Sequence, residues 1–401
     1  MRTLGGLVCF LSTVAFSFHI QRSYAGTKST SYSQLLLNQS CPVSPLISLQ
    51  TDTCLVKPNN CSGGYCIYSD LDFSGSRGIS FLTTPEMEGI FRESIQKHKL
   101  SDRLTGIAVD AFEQRDIPGK GVGLVAKRFL QRGELIIREP PALIVHLDAE
   151  SELPDSTRFE MQQAGVEALP ADTKLEVLGL MGHFGGDPIE DRLDTNAFGV
   201  MLGGSEAEHR ALLTQTSRLN HDCRPSCILN FNPRTLTASV YTVRDIRPGE
   251  ELSISYIDTR TTYAKRHAAI QSWGFTCSCA ACTLPPGDRF LSDDRIQQIK
   301  HYTAELKDWS NRSQAAPEIA EALIRLYQEE QIFYYIGDAY RLAAHTYSGV
   351  RDGYHALRMA SNALVYGLQA WDDMGSSMRD VLELLENLEK HWSWGKRLEE
   401  R

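Results

Sequence analysis

The chain has 401 residues, of which 42% are hydrophobic and 23% are charged, so it can bury a sizeable core and should fold into two or three domains. Its formal net charge of -9 excludes a large sequence-independent interaction with a phosphate backbone, because clustered Lys and Arg side chains provide such binding. We therefore expect a protein partner and no direct contact with nucleic acid.

Residues 1–25 have the pattern of a secretory signal peptide. Arg2 precedes an apolar stretch over residues 4–18, and Ser23-Tyr24-Ala25 supplies small residues at the two positions that a signal peptidase reads. A membrane anchor or a misassigned start are the alternatives, but the stretch is short for a span, and no later segment is apolar enough to cross a bilayer. We expect a mature chain without a membrane span in the secretory pathway or outside the cell, or in the cytoplasm or nucleus if the signal is not used.

Residues 26–103 are predicted to form an appendage that contains four of the 10 cysteines, which are Cys41, Cys54, Cys61 and Cys66. An even group of four after a signal peptide predicts two disulfides, whose connectivity the sequence leaves open. Zinc is the competing interpretation, but the group has no Cys-x-x-Cys pair and no nearby histidine. Within the appendage, the pattern predicts a strand over residues 65–68 and a helix over residues 85–98.

Short strands and turns are predicted from residue 104 to residue 258. Apolar runs at residues 135–137 and 143–145 precede a polar insertion near residues 148–194, which has helical patches at residues 159–169 and 173–181. Strands return at residues 227–232, 236–245 and 252–257. Beyond residue 290 the apolar spacing becomes helical, with Gly337 and Gly353 as predicted breaks. The fold class is therefore predicted to be α+β.

Three motifs follow one another in the second half of the chain. They are Asn220-His221-Asp222-Cys223, Gly249-Glu250-Glu251-Leu252 with Tyr256, and Cys277-Ser278-Cys279-Ala280-Ala281-Cys282. This ordered set resembles the carboxyl half of a SET domain with its post-SET zinc knuckle, and it is similar to the SET-and-MYND protein lysine methyltransferases and their fungal relatives. The resemblance implies a β-clip of short strands over residues 104–258, a post-SET knuckle over 259–290 and a helical region over 291–401. The MYND module is not expected, because the insertion contains no cysteine.

The resemblance also implies S-adenosylmethionine as the cofactor and assigns residues to its site. Tyr256 matches the family's catalytic tyrosine, whose hydroxyl orients the substrate amine. The implied cofactor-binding residues are Lys120, Gly121, Val122, Gly123, Asn196, Asn220, His221 and Phe275. Taken alone, an Asn-His pair is more often a loop turn, and a tyrosine in such a run is more often part of the core.

Cys277, Cys279 and Cys282 supply three thiolates, one fewer than a closed tetrahedral zinc site requires. The resemblance implies that Cys223 is the fourth ligand, which would connect the zinc to the cofactor loop. Disulfides in an oxidising compartment are the alternative. Cys227 is then left over as a buried free thiol.

These observations predict a monomeric, S-adenosylmethionine-dependent methyltransferase that acts on lysine side chains of proteins and contains zinc. The alternative is a catalytically silent, secreted SET-like interaction module. The signal peptide supports the alternative, because the cofactor and reduced thiolates are expected in the cytosol.

Overall fold

The computed structural model describes residues 60–97, 106–203, 208–368 and 376–399, and its architecture is α+β, as predicted. The predicted signal peptide, together with Cys41 and Cys54, lies outside these residues, so both predictions remain open. None of the helices in the described ranges is both long and apolar enough to cross a membrane.

The strands form three sheets in the described part of the chain. The first has the order β1-β2-β3-β8-β10-β9, the second β11-β14-β6-β5 and the third β12-β13-β7-β4. The strands are β1 (Cys61–Ser62), β2 (Tyr65–Asp70), β3 (Ile79–Thr83), β4 (Gly106–Ile107), β5 (Phe112–Ile117), β6 (Gly121–Ala126), β7 (Leu135–Glu139), β8 (Leu143–His146), β9 (Ala197–Met201), β10 (Glu208–Leu212), β11 (Asn220–His221), β12 (Cys227–Asn232), β13 (Thr237–Thr242) and β14 (Glu251–Ile254).

The hairpin of β5 and β6 shows how the sequence determines one of these connections. Ile117 is directly opposite Gly121, and the Lys120 amide donates to the Ile117 carbonyl at 2.9 Å across the turn. Pro118 fixes the backbone at the first central position, and Gly119 at the second has a φ of +76°, which glycine adopts without steric cost. The turn therefore directs Gly121 and Val122 into β6.

The described part of the predicted appendage is built into the first sheet. β2 pairs with β3, and β3 runs parallel to β8, with Phe81 opposite Ile144. A disulfide joins Cys61 to Cys66 across β1 and β2, which accounts for two of the four cysteines in this region. Residues 60–83 thus share a core with the strands that follow, because Phe81 and Ile144 are both fully buried.

Most of the helices lie in the insertion and in the carboxyl-terminal region. The helices are α1 (Phe73–Ser76), α2 (Pro85–Lys97), α3 (Ala149–Glu152), α4 (Asp155–Glu167), α5 (Ala171–Leu178), α6 (Pro188–Asn196), α7 (Tyr263–Gln271), α8 (Pro286–Lys307), α9 (Pro317–Glu329), α10 (Ile336–Gly349), α11 (Gly353–Gly367), α12 (Ser376–Glu386) and α13 (Lys396–Glu399). The predicted break at Gly353 coincides with the start of α11. Gly337 instead lies inside α10, where a Cβ would come within 2.9 Å of the Gly367 backbone, so it allows two helices to pack closely.

Glu330 connects the helical region to the loop that follows β11. Its carboxylate accepts hydrogen bonds from Ser292 Oγ at 2.8 Å and from Arg295 Nε at 2.6 Å, and it forms an ion pair with Arg224. The Glu330 side chain is only 3% exposed. Arg224 directly follows Cys223, so this ion pair joins α8 and the end of α9 to one of the sequence-predicted metal ligands.

Replacing Glu330 with glutamine should lower the free energy of unfolding by about 3–5 kcal/mol, because it leaves the buried Arg224 charge without its counter-ion. Glu329→Gln is the matched control. Glu329 is 59% exposed and lies 4.0 Å from Arg295, so its loss should cost about 0–1 kcal/mol. Urea denaturation of both variants at pH 7 measures the difference. Equal losses of stability would contradict a stabilising role for the ion pair between Arg224 and Glu330.

The free energies of unfolding of the wild type and of Glu330→Gln should depend differently on pH in the acidic range. Burial opposes ionisation of Glu330, but the Arg224 charge and the hydrogen bonds outweigh it and lower the pKa of this carboxyl below its ordinary 4.5. The folded state therefore binds this proton more weakly than the unfolded state, and the stabilisation exists above pH 4.5 and is lost as the pH falls further. The stability difference between wild type and Glu330→Gln should shrink over that acidic range.

Candidate active site

The second sheet brings together motifs that are far apart in the sequence. β11 lies parallel to β14, with His221 opposite Ile254, and β14 lies antiparallel to β6, with Leu252 opposite Leu124. The Asn-His pair, the strand that leads to Tyr256 and the glycine-bearing strand are therefore neighbours. The structure thus places these motifs side by side in one sheet.

Glu251 links the glycine-bearing loop to the Asn-His pair. Its carboxylate accepts a hydrogen bond from Lys120 Nζ at 2.7 Å and another from Asn220 Nδ2 at 2.9 Å. A Cβ on Gly123 would come within 2.7 Å of Asn220 Nδ2, so only glycine leaves room for the amide at this position. Glu251 is visible in the sequence only as part of the Gly249–Leu252 motif, and its contacts with two other motif residues make it a positioning residue.

His221 and Tyr256 fix each other's position. The Tyr256 backbone amide donates to His221 Nδ1 at 3.1 Å, and the Tyr256 hydroxyl donates to the Leu219 carbonyl at 2.8 Å. The hydroxyl proton is thus directed at Leu219, and a phenolic oxygen in this arrangement has acceptor character toward an electropositive group. His221 is buried, and its Nε2 lies 3.4 Å from Cys223 Sγ, so the Asn-His pair also contacts the cysteine cluster.

Two aromatic rings pack around Tyr256. Trp273 lies with its ring centroid 5.1 Å from that of Tyr256, and Phe275 lies 6.4 Å away in an edge-to-face arrangement. Phe275 is also 6.2 Å from the His221 ring, and 37% of its surface is exposed. Trp273 was not identified from the sequence, although an aromatic residue two positions before Phe275 was a visible signal.

A small cavity borders Tyr256 and Trp273 and is also lined by Asn196, Phe198 and Leu219. The Trp273 indole nitrogen is buried and makes no hydrogen bond to the described residues. The Asn196 side-chain nitrogen, in contrast, donates to the Met181 carbonyl at 2.7 Å and the Arg192 carbonyl at 2.9 Å. Asn196 thus lines the cavity, but its side-chain nitrogen already donates to these two carbonyls. Its role toward a cofactor stays a prediction.

Four cysteines converge beside this site. The sulfur atoms of Cys223, Cys277, Cys279 and Cys282 all lie within 4.8 Å of one another, and those of Cys223 and Cys282 are 3.5 Å apart. All four are free thiols, so the disulfide alternative does not describe this arrangement. Four converging sulfurs from one loop and one knuckle are the kind of ligand set that structural zinc sites use.

The thiols in and near the cluster differ in their acidity. Hydrogen bonds with the other three thiols of the cluster lower the pKa of Cys279. The pKa of Cys223 is raised by its hydrogen bonds with the other three thiols. Without a cation, four crowded sulfurs cannot all ionise, because like charges disfavour one another. Cys227 is a buried free thiol, as predicted, and burial raises its pKa to about 12, which makes it unreactive.

Comparison with known proteins identifies this arrangement. The profile of the SET domain family matches residues 121–257. The chain is 31% identical over 190 residues to histone-lysine N-methyltransferase set5 of Schizosaccharomyces pombe, covering 46% of this chain and 55% of that protein. It is 27% identical over 215 residues to N-lysine methyltransferase SMYD2-B of Danio rerio, covering 50% of this chain and 46% of that protein.

The similarity to a third relative extends further along this chain. N-lysine methyltransferase SMYD2 of Gallus gallus is 24% identical over 266 residues, covering 62% of this chain and 55% of that protein. The chain thus spans about half the length of these curated relatives. Residues 121–257 are therefore a SET domain, and through it the chain is a homologue of the Set5 and SMYD2 lysine methyltransferases.

Proposed function

We propose that this protein is an S-adenosylmethionine-dependent methyltransferase that acts on lysine side chains of other proteins. The observation that carries the proposal is the convergence of His221 and Phe275 on Tyr256, which lines a cavity in a SET domain. The relatives named above are lysine methyltransferases, which supports the same reaction.

The residues present fit the proposed cofactor. Phe275 offers a partly exposed aromatic face for a planar base, and Lys120, Glu251 and Asn220 offer charged and polar groups for an amino acid moiety. The unpaired Trp273 nitrogen offers a donor at the cavity. S-adenosylmethionine would supply a methyl group on a positively charged sulfur, which a neutral lysine nitrogen accepts by in-line displacement.

The protein itself would orient the reacting groups and exclude water from them. Tyr256 presents a hydroxyl oxygen whose proton is donated to Leu219, so its lone pairs can orient an amine or an electropositive methyl group. Phe198, Leu219 and Trp273 line the cavity with apolar surface, and burial there lowers the pKa of an entering lysine amine. The neutral amine forms without a dedicated general base.

The four thiolates would bind one zinc ion, which fixes the loop after β11 to the post-SET knuckle. Through Cys223 and His221 on one side, and through Phe275 just before Cys277 on the other, that ion would hold both walls of the site in place.

Replacing Gly123 with alanine should weaken cofactor binding by about tenfold or more, because overpacking typically costs about 1–3 kcal/mol and here displaces the Asn220 amide. Gly287→Ala, at an exposed glycine with nothing within 4 Å of an added Cβ, is the control and should leave binding unchanged. Isothermal titration calorimetry measures both. If Gly123→Ala binds the cofactor with wild-type affinity, the close approach of Gly123 to Asn220 does not contribute to the cofactor site.

The proposed function is tested with the purified full chain, S-adenosylmethionine labelled on its methyl group, and a set of lysine-rich proteins. We expect cofactor binding together with label on lysine, located by mass spectrometry. Cofactor binding without transfer to any substrate would favour the alternative, a catalytically silent interaction module. A chain that binds no cofactor would overturn the enzyme proposal.

A further inference from the structure

A second group of metal-binding side chains lies in the helical region, away from the proposed active site. His345 comes from α10, Asp380 from α12, and His391 from the segment after α12. One ligand atom from each lies within 4.8 Å of the other two. The two histidines are 3% and 7% exposed and the Asp380 side chain is 21% exposed, so the group is largely buried.

Hydrogen bonding does not account for the atoms that face one another in this group. His345 Nε2 lies 2.7 Å from one Asp380 oxygen, and His391 Nε2 lies 3.4 Å from the other. Both Nε2 atoms and Asp380 Oδ2 are nevertheless buried without a hydrogen bond of acceptable geometry. Buried polar atoms left in this way are costly, and each needs an explanation.

The surrounding contacts orient the group as the outer contacts of a metal site do. Trp392 Nε1 donates to Asp380 Oδ1 at 2.9 Å, and His391 Nδ1 lies 2.7 Å from Ser393 Oγ. The Ser393 hydroxyl donates to Ser348 Oγ at 2.9 Å, so its oxygen can accept the Nδ1 proton. That tautomer leaves a lone pair on His391 Nε2, which faces Asp380. The Ser393 backbone amide also donates toward Nδ1, but at the longer distance of 3.4 Å, so we assign the proton by the shorter hydroxyl contact.

A metal-free ion pair is the competing arrangement. Arg341 Nη1 lies 3.6 Å from Asp380 Oδ2 and would partly neutralise this carboxylate, although Arg341 also faces Asp338 at 3.4 Å. This ion pair would leave His345 Nε2 without a hydrogen bond. An ion pair would also leave His391 Nε2 without a hydrogen bond.

We propose that His345, Asp380 and His391 bind one divalent transition-metal ion, with zinc as the preferred ion and water as a fourth ligand. Imidazole nitrogen and carboxylate oxygen are ligands that zinc accepts in tetrahedral sites with three protein residues. The ion would join α10 to α12 and to the chain's final segment. Its role is structural, because it fixes the end of the helical region.

The test uses the full chain without a histidine tag, saturated with zinc and then freed of excess metal. We expect about two zinc ions per chain, one for each ligand set, and about one in Asp380→Asn, which keeps the shape of the side chain but removes its charge. His355→Gln is the matched control, because His355 also lies beside an aspartate, Asp352, at 2.8 Å in the same region. It should retain both ions.

X-ray absorption at the zinc edge of the wild-type protein provides a measurement that needs no variant. With both sites filled, the average zinc should have about two sulfur and two nitrogen or oxygen neighbours, whereas a cysteine site alone gives about four sulfurs. An all-sulfur spectrum, or a zinc content that Asp380→Asn leaves unchanged, would overturn the proposal. Neither readout depends on methyltransferase activity, so this inference and the proposed function fail separately.

Discussion

Replacing Tyr256 with phenylalanine should lower the rate of methyl transfer by about a hundredfold or more, the scale measured when one preorganised polar group is removed from an active site. The change deletes the hydroxyl of a residue that lines the cavity while leaving the ring packed against Trp273 and Phe275. Cofactor affinity should change little, because the backbone amide of residue 256 still donates to His221. Single-turnover measurements with a protein substrate that the wild type methylates separate the two effects.

Tyr241→Phe is the matched control for this experiment. Tyr241 lies on β13, is half-buried, and its hydroxyl accepts a 3.4 Å hydrogen bond from Arg138 outside the site. Both variants lose one hydroxyl, so a comparable loss of stability is expected, on the order of 1 kcal/mol. Only Tyr256→Phe should lose turnover. If both variants retain wild-type rates, Tyr256 is not the catalytic residue.

Replacing Cys282 with serine should remove one zinc ion per chain and abolish both cofactor binding and methyl transfer. Metal binding of this kind is folding free energy, with apparent values of about 10–16 kcal/mol in small zinc domains, so losing a ligand should release the knuckle. Phe275 lies two residues before Cys277 and would lose its fixed position over His221. Elemental analysis and calorimetric titration measure the two losses, and removal of all bound metal with a strong chelator should likewise abolish cofactor binding.

Cys227→Ala is the control for the loss of zinc. Cys227 is a free thiol four residues after Cys223, but it is not part of the cysteine cluster. This variant should retain its zinc and its cofactor affinity, with a cost of about 1 kcal/mol from the lost packing. Wild-type zinc content in Cys282→Ser would show that the four sulfurs do not act as one ligand set.

The disulfide and the free thiols of this chain make opposite demands on redox conditions. The bond between Cys61 and Cys66 requires oxidation, whereas the four cysteines of the cluster must remain reduced to bind a metal. We propose that zinc protects the cluster once it is bound, because coordinated thiolates are held away from disulfide exchange. Sequencing the amino terminus of protein recovered from its native cell would identify the compartment.

Local signals in the sequence were sufficient for several elements. Pro118 and Gly119 specify their turn through backbone geometry alone, and the run over residues 85–98 predicts α2 to within one residue of its end. The appendage was different. Its strand β3 pairs with β8, some 60 residues later, and no local pattern specifies which distant strand will be the neighbour.

The sequence by itself determined which residues carry the chemistry, because the order and spacing of the Asn-His pair, the tyrosine strand and the cysteine knuckle are properties of the chain. Only the tertiary structure decided how they act together. It placed Glu251 between Lys120 and Asn220, Trp273 against Tyr256, and His345 beside Asp380 and His391. These contacts join side chains from separate elements, and their distances are set by strand pairing and helix packing, which a linear pattern does not contain.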